Sequence, residues 1–161
     1  MVLVALDIEG CAAEVVAVAG QLALDLGEDM ELLTATAVPD GVPDVQVLPG
    51  HQLTVHDEVA LEARGVMQAL ARPWAERGVG VRYTVTFGRP HDVILDRIAQ
   101  VRPRMLVMGT HARTGIRRLL FGSVEESVVR DVDIPVVVVP SRDTPVHPAA
   151  TLSALRVEAD G

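Results

Sequence analysis

The chain has 161 residues and a net charge of −8, and 49% of it is apolar, drawn from Val, Ala and Leu rather than from aromatics. That length holds one domain with a substantial core, and Val beside helix-favouring Ala and Leu suits an α/β protein with a buried sheet. The acidic balance excludes a general nucleic-acid binder, which needs a basic face, but leaves room for a small nucleotide in a local pocket. All 14 residues counted as Lys or Arg are Arg, so no lysine can form a Schiff base or serve a Walker-type phosphate loop. The single Cys11 excludes an intrachain disulfide, fits a cytoplasmic protein, and reads as packing on an apolar helix. The start of the chain lacks a basic segment and meets Asp7 after a short apolar run, so neither a signal peptide nor a membrane span is expected.

Val2 to Leu6 is a short apolar run and reads as the first strand, followed by a turn over Asp7-Ile-Glu-Gly10. From Cys11 to about Leu26, the residues Val15, Val18, Leu22 and Leu26 recur at helical spacing, and Gly27 closes the helix. Glu31 to Val38 reads as the second strand. Pro39 to His56 is a long Pro-, Gly- and Asp-rich loop, of a length usually found in lids or mobile surface. The second helix is predicted from about Asp57 to Arg77, with Val59, Ala63, Val66, Leu70 and Trp74 as its apolar stripe and Pro73 kinking or breaking its last turns. Val81 to Phe87 alternates as a third strand. Pro90 suits the first position of a helix running to about Gln100. Arg104 to Met108 is the fourth strand, and Ser123 to Asp131 the fourth helix, with Ser123 and Glu126 spaced as a capping box. Ile134 to Val139 is the fifth strand. Residues 141–161 carry prolines and little periodicity, and read as a mobile tail after a 1–140 domain.

Strands alternating with helices predict a doubly wound open sheet of five mostly parallel strands, order 3-2-1-4-5, with helices on both faces. Such a sheet binds ligands beyond the carboxyl ends of its strands, where the order reverses. Here that is between the first and fourth strands, where Asp7 and Gly109 would face one crevice. The segment after the fourth strand, Gly-Thr-His-Ala-Arg-Thr-Gly-Ile-Arg-Arg-Leu-Leu-Phe-Gly-Ser-Val, joins a strand end, a basic loop and a helix start. Unpaired N–H groups and the dipole at a helix N-terminus attract anions. Arg113, Arg117 and Arg118 add positive charge, so the segment reads as a cradle for a phosphate-bearing ligand.

At these residues the chain resembles the universal stress protein family. The nucleotide-binding branch of that family carries Gly, two residues, Gly, nine residues, then Gly-Ser or Gly-Thr. Gly109 and Gly122-Ser123 match at the same spacing, with Ala112 at the second position, where a Cβ disfavours positive φ. The likeness extends from Ala5-Leu-Asp7 through Gly88-Arg-Pro to Val136–Val139, and fails over the 39–56 loop and the tail. The resemblance implies ATP or another adenine nucleotide as ligand, with or without Mg²⁺. It implies that Asp7 contacts the ribose or the metal–triphosphate. Ala5, Leu6, Ala37 and Val38 would line the adenine slot, and Met108 would lie near sugar and base. Gly109, His111, Ala112, Arg113, Gly122, Ser123 and Val124 would surround the phosphates. It also implies a homodimer through the fifth strand, residues 134–139, an apolar edge that no charge guards.

Other patterns are absent. His51 and His56 in the long loop are not expected to hold a metal, and no CxxC, HExxH or nucleophile-elbow motif occurs. No catalytic residue is assigned: phosphoryl transfer needs positioning groups and a base, and Asp7 is the one acid beside the motif. The leading expectation is a cytoplasmic nucleotide-binding sensor or regulator of stress responses, hydrolysing slowly at most, with no nucleic-acid or membrane partner. The alternatives are a dimeric interaction module that binds no nucleotide, and an ATP-pyrophosphate-cleaving enzyme. The last needs a glycine-rich loop after the first strand, which Asp7-Ile-Glu-Gly10 does not resemble.

Overall fold

The computed structural model describes residues 1–8, 10–36, 55–110 and 123–140, and the backbone alone of Val55 and Ser123. In chain order the elements are β1 (Val2–Leu6), α1 (Ala12–Leu26), β2 (Met30–Thr36), α2 (Val55–Ala75), β3 (Val81–Phe87), α3 (Pro90–Val101), β4 (Met105–Thr110), α4 (Ser123–Asp131) and β5 (Val136–Pro140). The sheet order is β3-β2-β1-β4-β5, and every pairing is parallel, as the alternation of elements predicts.

Right-handed crossovers explain the two layers. The chain steps from β1 to β2 to β3 in one direction, so α1 and α2 cover one face. It then returns across the sheet through α3 to β4 and on through α4 to β5, so α3 and α4 cover the other. The period of two along β1 feeds both cores: Val2, Val4 and Leu6 pack with α1 and α2, while Leu3 joins Leu33, Leu106, Met108 and Val128 on the α3–α4 side.

Several boundaries differ from the sequence reading. β2 starts one residue earlier, at Met30, and is described to Thr36; Ala37 and Val38 lie outside the described residues, as does most of the 39–56 loop and the whole 141–161 tail. α2 begins at Val55, before the expected Asp57, and ends two residues past Pro73, whose ring cannot continue the hydrogen-bond ladder. Its buried line is Ala63, Met67 and Ala71; Leu70 and Trp74 flank it, half-buried. Met67 and Ala71, not Val66, are buried where α2 meets the α1 side. There, a Cβ added to Gly20 would stand 2.2 Å from the Trp74 ring. β4 runs on through Gly109 to Thr110 rather than ending at Met108, because those residues pair with Val139 and Pro140 of β5. β5 correspondingly spans Val136–Pro140, not 134–139. Gly27 does close α1: at φ 62° it takes the left-handed conformation, with Gly27 N–H bonded to Leu24 O at 3.2 Å and Glu28 N–H to Ala23 O at 2.9 Å.

The α3–α4 layer is held by charge as well as by apolar packing. Glu31 of β2 is fully buried. Its Oε1 accepts from Arg97 Nε of α3 at 2.6 Å and from Thr84 Oγ1 of β3 at 2.8 Å, while its Oε2 has no hydrogen-bond partner. Burial pushes this carboxyl upward, but the Arg97 and Thr84 hydrogen bonds and the charges of Arg97 and Arg82 outweigh it and hold Glu31 below its ordinary value. His91 at the start of α3 bonds Asp92 through Nδ1 at 3.0 Å and Asp131, the last residue of α4, through Nε2 at 2.9 Å. The hydrogen bonds to Asp92 and Asp131 raise its pKa.

A group whose folded pKa is depressed stabilises the fold above its unfolded pKa and loses that contribution as pH falls through the folded value. Arg97→Ala strands the Glu31 carboxylate in the core and is expected to cost about 3 kcal/mol at neutral pH. Glu31→Gln should cost less, since the released Arg97 can turn to water, and should flatten the loss of stability below about pH 4. Urea unfolding across this range checks both; an Arg97→Ala milder than Glu31→Gln refutes the assignment.

Candidate functional site

The sheet order reverses between β1 and β4, whose register pairs Val4 with Val107 and Ala5 with Met108. Their carboxyl ends therefore open side by side. The helices that follow them, α1 and α4, leave on opposite faces, so nothing in the connectivity closes the gap above the strand ends.

β1 delivers Asp7 to this rim. Asp7 is exposed, and its carbonyl accepts from Gly10 N–H at 3.1 Å, closing the turn into α1. Leu6 is buried on the α1–α2 side, with its carbonyl taken by Thr34 Oγ1 at 3.1 Å. Ala5 is half-buried on the other side, against the α3–α4 core. Met108 is also a core residue there, 4% exposed. Val124, in the first turn of α4, packs half-buried against the same cluster.

Gly109 has a reason for being glycine that the motif alone does not show. Its φ lies outside the left-handed region, but a Cβ built on it would stand 2.3 Å from Cys11 Sγ and 3.0 Å from Val15 Cγ2. Glycine here lets the start of α1 settle onto β4. Cys11 is correspondingly not inside the helix but its N-cap, with φ −87° and ψ 35° and no side-chain cap bond.

The thiol of Cys11 registers the electrostatics of the crevice. Burial pushes it above its ordinary value against the lowering effect of a backbone hydrogen bond, and the charges of Glu14, Asp7 and Glu125 add smaller increases. Glu14 lies on α1, Asp7 at the end of β1 and Glu125 in the first turn of α4. Two acids from the start of the chain and one from α4 thus bear on the same thiol. Glu125 is also buried, at 6% exposure. Sequence reasoning noted it only as an acid at a helix start. A sharper signal was present: Glu125 lies three and seven residues before Val128 and Val132, in register with the buried apolar face.

Of the remaining candidates, Ala37, Val38, His111, Ala112, Arg113 and Gly122 lie outside the described residues, as do Arg117 and Arg118. Ser123 opens α4, its side chain undescribed. Glu126, its expected capping partner, accepts from Arg130 at 3.0 Å. Among the described residues no cluster of three or more His, Cys, Asp or Glu is arranged to hold a metal ion, and no helix is long and apolar enough to cross a membrane. His56, from the expected loop, packs tilted against Phe87 with ring centroids 4.5 Å apart.

The sequence pattern of the universal stress protein family matches residues 1–140. Universal stress protein MJ0577 of Methanocaldococcus jannaschii is 28% identical over 83 residues, 52% of this chain and 51% of that protein. The chain thus matches about half the length of this relative, and 46% of a second from the same organism. Among solved structures, a universal stress protein in complex with cAMP superposes with a TM-score of 0.66 at 20% identity, covering 88% of this chain and 97% of that one. The universal stress protein from Archaeoglobus fulgidus in complex with dAMP superposes with a TM-score of 0.59 at 20% identity, covering 85% and 94%. The solved structures share the fold.

Gly109→Ala is expected to destabilise the protein by about 1–3 kcal/mol through overpacking, and Cys11→Ala in the same chain should recover part of the loss. A double-mutant cycle by chemical denaturation measures this; additive effects would show that Cys11 and Gly109 do not meet.

Proposed function

The chain belongs to the universal stress protein family, and we propose that it binds an adenine nucleotide at the β1–β4 crevice as a cytoplasmic sensor or regulator. The observation that carries this is the side-by-side opening of Asp7 and Gly109 at the reversal point, with α4 starting just beyond. The cAMP and dAMP held by the two solved relatives support that class of ligand. ATP, with or without Mg²⁺, is the ligand we assign from the glycine spacing.

In this reading Asp7 meets the ribose or the metal–triphosphate. Ala5, Leu6, Ala37 and Val38 line the base, with Met108 behind them. Gly109, His111, Ala112, Arg113, Gly122, Ser123 and Val124 surround the phosphates, Ser123 and the α4 N-terminus supplying donors. The reading assigns slow hydrolysis at most, since phosphoryl transfer needs positioning groups and the chain has no lysine to supply one. Residues 1–140 form the nucleotide-binding domain in this proposal, and 141–161 a tail beyond it.

A second reading, an interaction module that binds no nucleotide, is favoured by Ala112, whose Cβ stands where the motif has glycine. Both readings share a homodimer, since β5 ends the sheet with a run of four valines and such an edge invites pairing.

Protein purified without added ligand, then denatured, is expected to release adenine nucleotide, and the stripped protein to bind ATP–Mg²⁺. Gly122→Val with Ser123→Ala should weaken that binding by about tenfold or more, the worth of lost charge-assisted hydrogen bonds. Calorimetry that finds no ATP binding by the wild type selects the interaction module; unchanged affinity in the double variant removes the site assignment.

Sedimentation velocity across a concentration series is expected to show a dimer. A monomer throughout removes the β5 proposal.

A further inference from the structure

α4 has nine residues, and a helix that short depends on tertiary ties rather than on its own propensity. Val124 and Val128 tie it to the sheet through apolar contact. Its far end is held differently. Asp131, the last residue, lies 2.9 Å from His91 Nε2, and the other ring nitrogen, Nδ1, lies 3.0 Å from Asp92 Oδ1. A carboxylate only accepts, and a neutral imidazole carries a single N–H. A neutral ring therefore serves one aspartate and sets its lone pair against the other. Only the imidazolium, with N–H at both nitrogens, satisfies both contacts. The placement of the charges agrees. His91 is the second residue of α3 and Asp131 the last of α4, so each sits at the end of its own helix dipole that disfavours its charge. Brought together, each meets the end of the other helix that favours it. Among the neighbouring charges, Arg89 lies 3.9 Å from the second oxygen of Asp92, and Arg130 is taken by Glu126. The ring is half-buried and both aspartates are exposed, so the proton exchanges with solvent.

We propose that His91 is a protonation-dependent clasp on α4. Charged, it ties the end of α4 to the start of α3. When the proton passes to solvent, one of the two contacts turns repulsive and the other loses its charge assistance, so the tie weakens. The bonds to Asp92 and Asp131 raise the His91 pKa in the folded chain. The contribution is then complete below the ordinary histidine value of about 6.5 and is lost as pH rises through the higher folded value. The device acts on the helix that opens at the crevice rim, and it stands whether or not the nucleotide reading does.

Two measurements on the full chain test it. In an NMR titration of the His91 ring, the midpoint is expected above about 6.5 in the wild type and nearer that value in Asp131→Asn, which keeps the shape and removes the charge. In hydrogen exchange corrected for the intrinsic rate, protection of the last turn of α4 relative to β1 is expected to fall about two- to fivefold between about pH 6 and about pH 8, the worth of a partly exposed ion pair. His91→Gln, neutral throughout, should show no such fall. If melting shows that variant unfolded, Asp131→Asn gives the same exchange comparison. A wild-type midpoint at or below the ordinary value, or equal midpoints in the two proteins, overturns the inference. So does a fall in protection that persists without the His91 ring or the Asp131 charge.

Discussion

The parallel ladder between β1 and β4 is the constraint on which the rest of the molecule depends. Both strands are buried from two sides, so helices must cover both faces, and right-handed crossovers then dictate which helices go where. The same ladder brings chain ends separated by about a hundred residues to one rim. The contact of Gly109 with Cys11 and Val15 belongs to this constraint. It lets α1 lie close enough to β4 for the α1–α2 core to include Val107 and Val139.

The two layers are stabilised by different means. On the α1–α2 side the packing is apolar, with Trp74 over Gly20 and the Arg77 guanidinium 4.7 Å from the Trp74 ring. On the α3–α4 side, charged groups enter the layer: the Glu31–Arg97 pair ties α3 to β2, and His91 ties α3 to the end of α4. Buried ion pairs add less to net stability than their geometry implies, because desolvation offsets the attraction; their stronger effect is to penalise arrangements that leave one partner alone. Here the first fixes α3 on β2 and the second fixes the end of α4 to α3.

The crevice combines opposed electrostatic features. The α4 start favours an anion, while Asp7, Glu14 and Glu125 bring negative charge toward Cys11 at the start of α1. The apolar β5 edge lies on the far side of β4 from β1.

Periodicity, turn chemistry and glycine spacing were enough to read the alternation of elements, the sheet order, the β3 and α4 boundaries, the Gly27 cap and the family resemblance. These are local signals, or rules of connectivity that need only the order of elements. The chain by itself did not show why Gly109 is glycine, because Cys11 meets it only after α1 folds back onto β4. Nor did it show that β4 continues to Thr110, which follows from pairing with β5. Glu31 and Glu125 look in sequence like ordinary acids, one in a strand and one at a helix start. Their burial is decided by neighbours brought from elsewhere in the chain, Arg97 and Thr84 in the first case and the junction of α4 with the sheet in the second. Local pattern determined the elements and their order. Tertiary structure alone decided which charges are buried together, because burial is a property of what packs around a residue and not of the residue itself.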